Sequence, residues 1–341
     1  MIFKTPRKIM IKSALPKKLK WGVAGCGNFA ENFFLPSLQS IKRSKLTSIY
    51  SHDKKRAEAI AYKFSALNSF DNYDEFLKSD IDAVYISSVN ADHHWQTIKA
   101  ANAGKHILCE RPIALNSNQA SEMVQTCNKN GVYFVVNHYH RFHPLVMKAK
   151  ELVDKHLLGK IVSVSASYNI DLSPGNNFRF KKELSGGGVL RDLGAQMIDM
   201  LRYFGGEIIE SKAFMDNIVY KSEVEDFANA LVRFEKGGYG YLNVSYNTKK
   251  AFNRIEILGY NGSIYIENFF SKKNVTTKLF IDLQGEARKV FVRRANKLSF
   301  LIRSVQKSFL KNQTPLVTGE QAQINLRLIE EIEKQCHSEK N

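Results

Sequence analysis

Strand-like and helix-like stretches alternate from Leu19 to His138. "LKWGVAG", "KLTSIYS", "IDAVYIS", "KHILCE" and "VYFVVNH" are short, apolar runs of the kind that form buried strands. Between them lie residues 28–43, "DKKRAEAIAYKF", "HHWQTIKAANAG" and "NSNQASEMVQTCNKNG", which read as helices. Strands separated by helices of this length require right-handed crossovers and hence a parallel, doubly wound sheet. Such a sheet takes its ligand at the carboxyl ends of its strands.

After about residue 145 the pattern changes. One helix leads into "KIVSVSASYNID", and the glycine-rich "SGGGVLRDLGAQ" opens a helix to about Phe204. "EIIESKAFM", "DFANALVRFE", "YGYLNVSY", "RIEILGY", "SIYIENF" and "KLFIDL" follow, several alternating apolar and polar residues, which suits an antiparallel sheet with one open or partner-covered face. A helix over 319–335 closes the chain. The 341 residues therefore divide into a basic tail (1–18), a doubly wound α/β domain (19–143), an α+β domain with an open-faced, mainly antiparallel sheet (144–335) and a short tail (336–341).

Composition narrows the setting. Cys26, Cys109, Cys127 and Cys336 show no metal-ligand spacing, which argues against structural zinc and for a reducing, cytoplasmic compartment. The first eighteen residues lack the apolar centre of a secretory signal, and no segment reaches the roughly 18–20 apolar residues of a membrane span, so a soluble protein is expected. The net charge of +17 attracts anions. Much of it lies between Arg288 and Lys311, where Leu298, Leu301, Ile302, Val305 and Phe309 recur at helical spacing. A core-packed helix with a solvated basic face is favoured there over a peripheral contact with an anionic surface. No module for specific nucleic-acid binding is present in the sequence.

"GVAGCGNFA" sets Gly25, Gly27 and Ala30 between the first strand and the first helix. Gly25 permits the tight turn, Gly27 lets backbone approach a pyrophosphate, and Ala30 lets helix and strand pack closely. The second strand ends in Ser51 and His52 rather than a carboxylate, with Lys54, Lys55 and Arg56 after it. A missing carboxylate removes repulsion against a 2'-phosphate, and cations can hold one, so NADP is favoured over NAD. Asp53 is close enough in sequence to swing in instead.

From about Lys20 to about Lys334 the chain resembles the Gfo/Idh/MocA family, the relatives of glucose-fructose oxidoreductase and inositol dehydrogenase. The residues that carry this are "GVAGCGNFA", "IDAVYISSVNADHH", "AGKHILCERP", "YHRFHP", "FRFKKELSGGGVLRDLGAQMIDMLRYFGGE" and "PLVTGEQAQINLRLIEEI". The resemblance implies a Rossmann domain followed by an open-faced sheet domain, with a carbohydrate-type substrate held between them. It also implies a homodimer or homotetramer formed through that sheet, and no metal. Carried over by motif, the cofactor contacts are Gly25, Gly27, Asn28, Phe29, Ala30, Ser51, His52, Arg56, Ser88, Asn90, His93, Glu110 and Arg111. The substrate contacts are Arg111, Tyr139, Arg179, Asp192 and Gln196.

Two departures bear on the chemistry. Where the family's E-K-P signature has a lysine, this chain has Arg111, and where its D-x-G-x-H segment has a histidine, it has Gln196. Arginine stays protonated but binds anions through its fork, and glutamine cannot exchange a proton. Arg111, Asp192 and Gln196 are the candidate catalytic set, with Asp192 as the base if its pKa is raised. His138, His140, His143, Tyr139 and Tyr168 are alternatives, and Arg141 is either a site residue or an internal ion-pair partner. The leading reading is an NAD(P)-dependent oxidoreductase acting on a sugar, cyclic polyol or anionic sugar derivative such as a sugar nucleotide. The alternatives are a non-catalytic NAD(P)-binding sensor and, ranked last, an NAD-dependent glycosidase.

Overall fold

The computed structural model describes residues 18–270 and 275–338. Apart from Lys18, the expected basic tail lies outside the described residues, as do residues 339–341. The first sheet contains β1 (Leu19–Ala24), β2 (Ser44–Tyr50), β3 (Asn68–Phe70), β4 (Ala83–Ile86), β5 (His106–Cys109) and β6 (Phe134–Val136). They pair in the order β3-β2-β1-β4-β5-β6, every pair parallel. Chain direction across the sheet reverses between β1 and β4, and that switch point opens a crevice above their carboxyl ends. Helices on both faces bury β4 completely, which is why it reads as an unbroken apolar run.

The expected helix over 28–43 is shorter. A π-helical turn at Ala30–Phe34 passes into an α-helix at Leu35–Gln39, and the chain then turns through Arg43 at φ +67°. Ser37 and Ser40 hydroxyls bond to the carbonyls of Phe33 and Ser37, competing with helix continuation. Strand β3 and the helix Tyr73–Lys78, whose first amides are capped by Asn72, are too short for periodicity to reveal.

The second sheet contains β7 (Ile161–Asp171), β8 (Ile208–Asp216), β9 (Phe227–Phe234), β10 (Tyr239–Ser245), β11 (Asn247–Gly259), β12 (Gly262–Glu267), β13 (Thr277–Leu283) and β14 (Lys289–Arg293). Its order is β14-β13-β12-β11-β7-β10-β9-β8, antiparallel except where β7 meets β10. Strand β14 is a largely exposed edge with no alternation of burial, so its sequence carries no strand signal. Val164, Ala166, Leu242, Val244, Ile255, Ile257, Ile264 and Ile266 pack beneath Ile198 and Leu201 of the helix Ala195–Gly205. Each fully buried large side chain there contributes about 1.5–3 kcal/mol. The opposite face leaves Phe214, Leu231, Tyr239 and Tyr241 exposed on neighbouring strands.

The chain does not partition at residue 143 as simply as expected. The amphipathic helix Lys297–Lys311 buries Leu298, Leu301, Ile302, Val305 and Phe309 against Trp21 and Phe34 of the first unit, while Arg303, Lys307 and Lys311 face outward. The closing helix runs Gly319–Ser338, past the expected end at 335. Its Ala322 and Leu326 join the core beneath the first sheet, and its Ile329, Ile332 and Cys336 join the second. Hydrophobic patterning marks such a helix as amphipathic but does not say which core its face will meet. No helix among the described residues is long and apolar enough to cross a membrane.

Candidate active site

The crevice above β1 and β4 is shaped by two glycines with different tasks. Gly25 has φ +95°, and a Cβ there would stand 2.4 Å from the backbone nitrogen of Ser88. A Cβ on Gly27 would meet only the Ser87 carbonyl oxygen, at 3.9 Å, which leaves room for a bulky group against the backbone. The helical turn that follows has no side-chain cap, so its first amides are available to an anion. This fits a dinucleotide pyrophosphate. Arg56 reaches back across the loop, donating from Nε and Nη2 to the Cys26 carbonyl, both at 3.1 Å, and pairing with Glu31.

Beside β2, Asp53 accepts from the Arg56 amide and caps the helix Lys54–Phe64, so it does not swing toward the crevice. His52 bridges Tyr50 and Asp92, and the Ser51 hydroxyl accepts from the Asp53 amide. Ser88 bonds to Gln96. Two expected cofactor contacts are turned inward. Buried Asn90 donates to the Ser185 carbonyl, and His93, fully enclosed, bonds to the carbonyls of Pro112 and Ser88. Burial lowers the pKa of His93, opposed in part by these two carbonyls. It braces the loop carrying Arg111.

That loop leaves β5 through Glu110 and a cis Arg111-Pro112 bond. Burial raises the pKa of Glu110 against the pull of Arg111, and the carboxylate accepts from Tyr85 and Asn137. Arg111 Nη1 donates to Asp192 Oδ1 at 2.7 Å and to the Asp192 carbonyl at 3.0 Å. The other carboxylate oxygen of Asp192 accepts from Arg179 Nε at 2.9 Å and from the Tyr246 hydroxyl at 2.8 Å. With the Gln196 amide oriented by its neighbours, its oxygen accepts from Arg111 Nη2 at 2.7 Å and its nitrogen donates to His140 Nε2. His140 is thereby a neutral acceptor, its pKa held far down by burial and by the nearby cations Lys297 and Arg111.

This geometry corrects the reading of Asp192 as a base with a raised pKa. Burial does oppose its ionisation, but Arg179 and Arg111 outweigh burial and hold the carboxyl well below its usual range. Nor does Asp192 cap the helix after the glycines. It sits inside the π-helical turn Leu190–Gly194, and Glu225 takes the amides of Gly188 and Leu190 instead. Arg111 holds Asp192 and Gln196 with the same fork that was expected to grip a substrate anion.

The remaining candidates separate cleanly. Arg141 pairs bidentately with the buried Asp199, which also accepts from Asn325, so Arg141 is an internal ion-pair partner. Burial pulls His138 and His143 down to about 4, and both are structural neutral rings. Tyr168 bonds to the Phe270 carbonyl and burial pushes its phenol up to about 12. Tyr139 packs at a tilt against the rings of Phe29 and His140, at centroid separations of 5.9 and 3.9 Å.

Two residues escaped the sequence reading. Tyr246 gave no local signal because it meets Asp192 across 54 positions. Lys297 counted as one of the cations on a solvated helix face, yet it is 7% exposed.

Residues 19–138 match the family described as "Oxidoreductase family, NAD-binding Rossmann fold", and residues 146–265 match the "GFO/IDH/MocA C-terminal domain". A 1,5-anhydro-D-fructose reductase of Ensifer adhaerens is 28% identical over 273 residues, covering 79% of this chain and 82% of the relative. A scyllo-inositol 2-dehydrogenase (NADP(+)) of Bacillus subtilis is 29% identical over 256 residues, covering 73% and 76%. The solved aldose-aldose oxidoreductase from Caulobacter crescentus shares the fold, with a TM-score of 0.87 at 23% identity over 94% of this chain and 98% of that one. Both halves of the chain, the crevice with its glycine loop and the sheet unit that supplies Asp192, thus belong to one lineage, and the protein is a member of the Gfo/Idh/MocA family of NAD(P)-binding oxidoreductases.

Proposed function

We propose that the protein is an NAD(P)-dependent oxidoreductase that moves a hydride to or from a carbinol carbon of a sugar, a cyclic polyol or an anionic sugar derivative such as a sugar nucleotide. The observation that carries this reading is the partly buried Arg111–Asp192–Arg179 cluster. Two guanidiniums against one carboxylate leave net positive charge beside a crevice whose glycine loop has room for a pyrophosphate. NAD(P), when bound, supplies the hydride acceptor or donor. The residues that would hold it are Gly25, Gly27, the amides from Asn28 to Ala30, Ser51, His52 and Arg56. Arg111 contributes fixed positive charge, which stabilises an alkoxide forming within its reach. Gln196 fixes the orientation of Arg111 and cannot itself exchange a proton. The exposed apolar strip of Phe214, Leu231, Tyr239 and Tyr241 supports assembly of two or four copies through the second sheet.

The test is purified protein with NADP(H) and NAD(H) against D-xylose, D-glucose, scyllo- and myo-inositol, 1,5-anhydro-D-fructose and a dTDP-hexose. Cofactor-linked absorbance change with at least one sugar or polyol is expected, and silence across the panel with cofactor bound overturns the reading. Within it, NADP is the favoured cofactor because Asp53 is committed to capping while Arg56 lies over the loop. Arg56→Ala is expected to weaken NADP(H) about tenfold and NAD(H) about twofold or less in a fluorescence titration. Equal losses would remove the case for a 2'-phosphate contact.

One observation favours the sensor as a second reading: the positions of the family's lysine and histidine are locked into a salt-bridged lattice with no proton to exchange. The double variant Arg111→Lys, Gln196→His discriminates. A silent protein that gains turnover supports the sensor, whereas native activity that falls about tenfold or more supports catalysis adapted to the arginine.

A further inference from the structure

The helix Lys297–Lys311 carries its outward cations to the amino ends of the first sheet's strands, the end away from the crevice. There Gln306, itself buried, donates to the Lys42 carbonyl at 3.0 Å and accepts from the Ser44 hydroxyl, which fixes the helix against the turn that enters β2. Arg303, Lys307 and Lys311 of the helix and Lys42 and Arg43 of the turn line a groove of ≈ 550 Å³, whose remaining lining is uncharged and includes Ile41 and Leu310. All five cations are exposed, and none pairs with a carboxylate among the described residues. Arg288 and Lys289, from the same basic run, are by contrast matched by Asp282 and Glu286. The first eighteen residues join the chain at this corner, since the Leu19 amide donates to the Arg43 carbonyl at 2.8 Å. They hold six Lys and Arg and no acidic residue, interleaved with apolar residues such as Phe3 and Ile9.

We propose that this end of the molecule docks on an anionic lipid bilayer, with the groove over the headgroups and the crevice turned away from the surface. Unmatched charge of one sign, gathered from segments about 260 positions apart, attracts a polyanion. Two observations favour lipid over nucleic acid. Single strands are held by stacking on aromatic rings, and no aromatic residue lines the groove. The first eighteen residues combine cations with apolar side chains, a composition suited to the boundary between headgroups and acyl chains. The contact is peripheral, because the apolar face of the helix is already buried against Trp21 and Phe34. What holds the surface is therefore the outward charge, and the helix itself does not insert. The expected solvated basic face is present, but spacing within the helix did not show that Lys42 and Arg43 stand across from it.

The test is co-sedimentation of the full chain with vesicles of phosphatidylcholine alone and of phosphatidylcholine with about 30% phosphatidylserine. Binding to the anionic vesicles only is expected, and it should disappear as NaCl rises from about 0.1 to about 0.5 M. Each Lys or Arg held at such a surface strengthens partitioning about fivefold. The triple variant Arg303→Gln, Lys307→Gln, Lys311→Gln should therefore bind on the order of 10²-fold more weakly, with a melting temperature within about 2 °C of native. A chain lacking residues 1–17 should bind more weakly than the native chain and lose its remaining binding when the triple substitution is added. A triple variant that binds as the native chain does overturns the proposal, as does equal binding to neutral and anionic vesicles. Two competitors separate the other anions. A mixed-sequence single-stranded DNA that displaces the vesicles from the groove assigns it to nucleic acid instead. Inorganic phosphate that displaces them at constant ionic strength makes it a small-anion pocket, and either result overturns docking on a bilayer. Vesicle binding needs no turnover, so it stands or falls independently of the sugar panel.

Discussion

Asp192→Asn lowers stability by about 3–5 kcal/mol and takes kcat/KM down on the order of 10²-fold or more. The carboxylate receives Arg111 on one oxygen and both Arg179 and Tyr246 on the other, and its side chain is only 15% exposed. Removing one member of a buried pair leaves the partner charges uncompensated, which costs far more than the pair's net contribution. Here two guanidiniums would face each other across a neutral amide. The kinetic loss follows from geometry, since Arg111 takes its direction from Asp192 and Gln196, and a displaced charge stabilises an alkoxide poorly. The pH dependence has a definite sign. Asp192 has a folded pKa below its unfolded value, so its stabilisation is present above about pH 4 and is lost as pH falls toward the folded value. Asp192→Asn should therefore flatten the acid limb of the melting temperature measured from pH 7 to pH 3. A variant as stable as the native protein, with the same acid limb, would show that the arginines do not depend on this carboxylate.

The same residue marks the boundary of what local sequence can say. The glycine spacing, the strand exits and the alternation of elements are local, and the crevice they imply is present between β1 and β4. The positions of Arg111, Asp192 and Gln196 also follow from local motifs, and they do meet at one site. Their protonation does not follow. It depends on Arg179 and Tyr246, which arrive from 13 and 54 residues away, and on burial, which no motif records. Lys297 is the sharper case. Its neighbours in sequence are cations on an outward face, yet the turn before its helix points it into the protein over Tyr139. Periodicity assigns a face to a helix interior, whereas the first residue is directed by the chain that enters it. The short edge elements escaped for a related reason: β14 buries almost nothing, so no alternation was required of it.

Gly25→Ala and Gly27→Ala are expected to fail in opposite ways, although the two residues stand two positions apart in one loop. At Gly25 the backbone has φ +95°, and the added carbon would lie 2.4 Å from Ser88 nitrogen and 2.5 Å from Ser87 carbonyl carbon. Strain in that backbone region costs about 1–3 kcal/mol and overpacking against fixed backbone a similar amount. The turn must open, pulling the exit of β1 away from β4. Loss of several kcal/mol and of NADP(H) binding together is the expected result. At Gly27 the added carbon meets nothing nearer than 3.9 Å, so the apoprotein should melt within about 1 °C of native. The methyl instead occupies the space through which a pyrophosphate would reach the backbone, and NADP(H) affinity should fall roughly 10–100-fold. Thermal melts with and without NADP(H) read both effects, because a bound cofactor raises the melting temperature in proportion to its affinity. If Gly27→Ala is stabilised by NADP(H) as much as the native chain is, the open space beside Gly27 is not where the pyrophosphate lies.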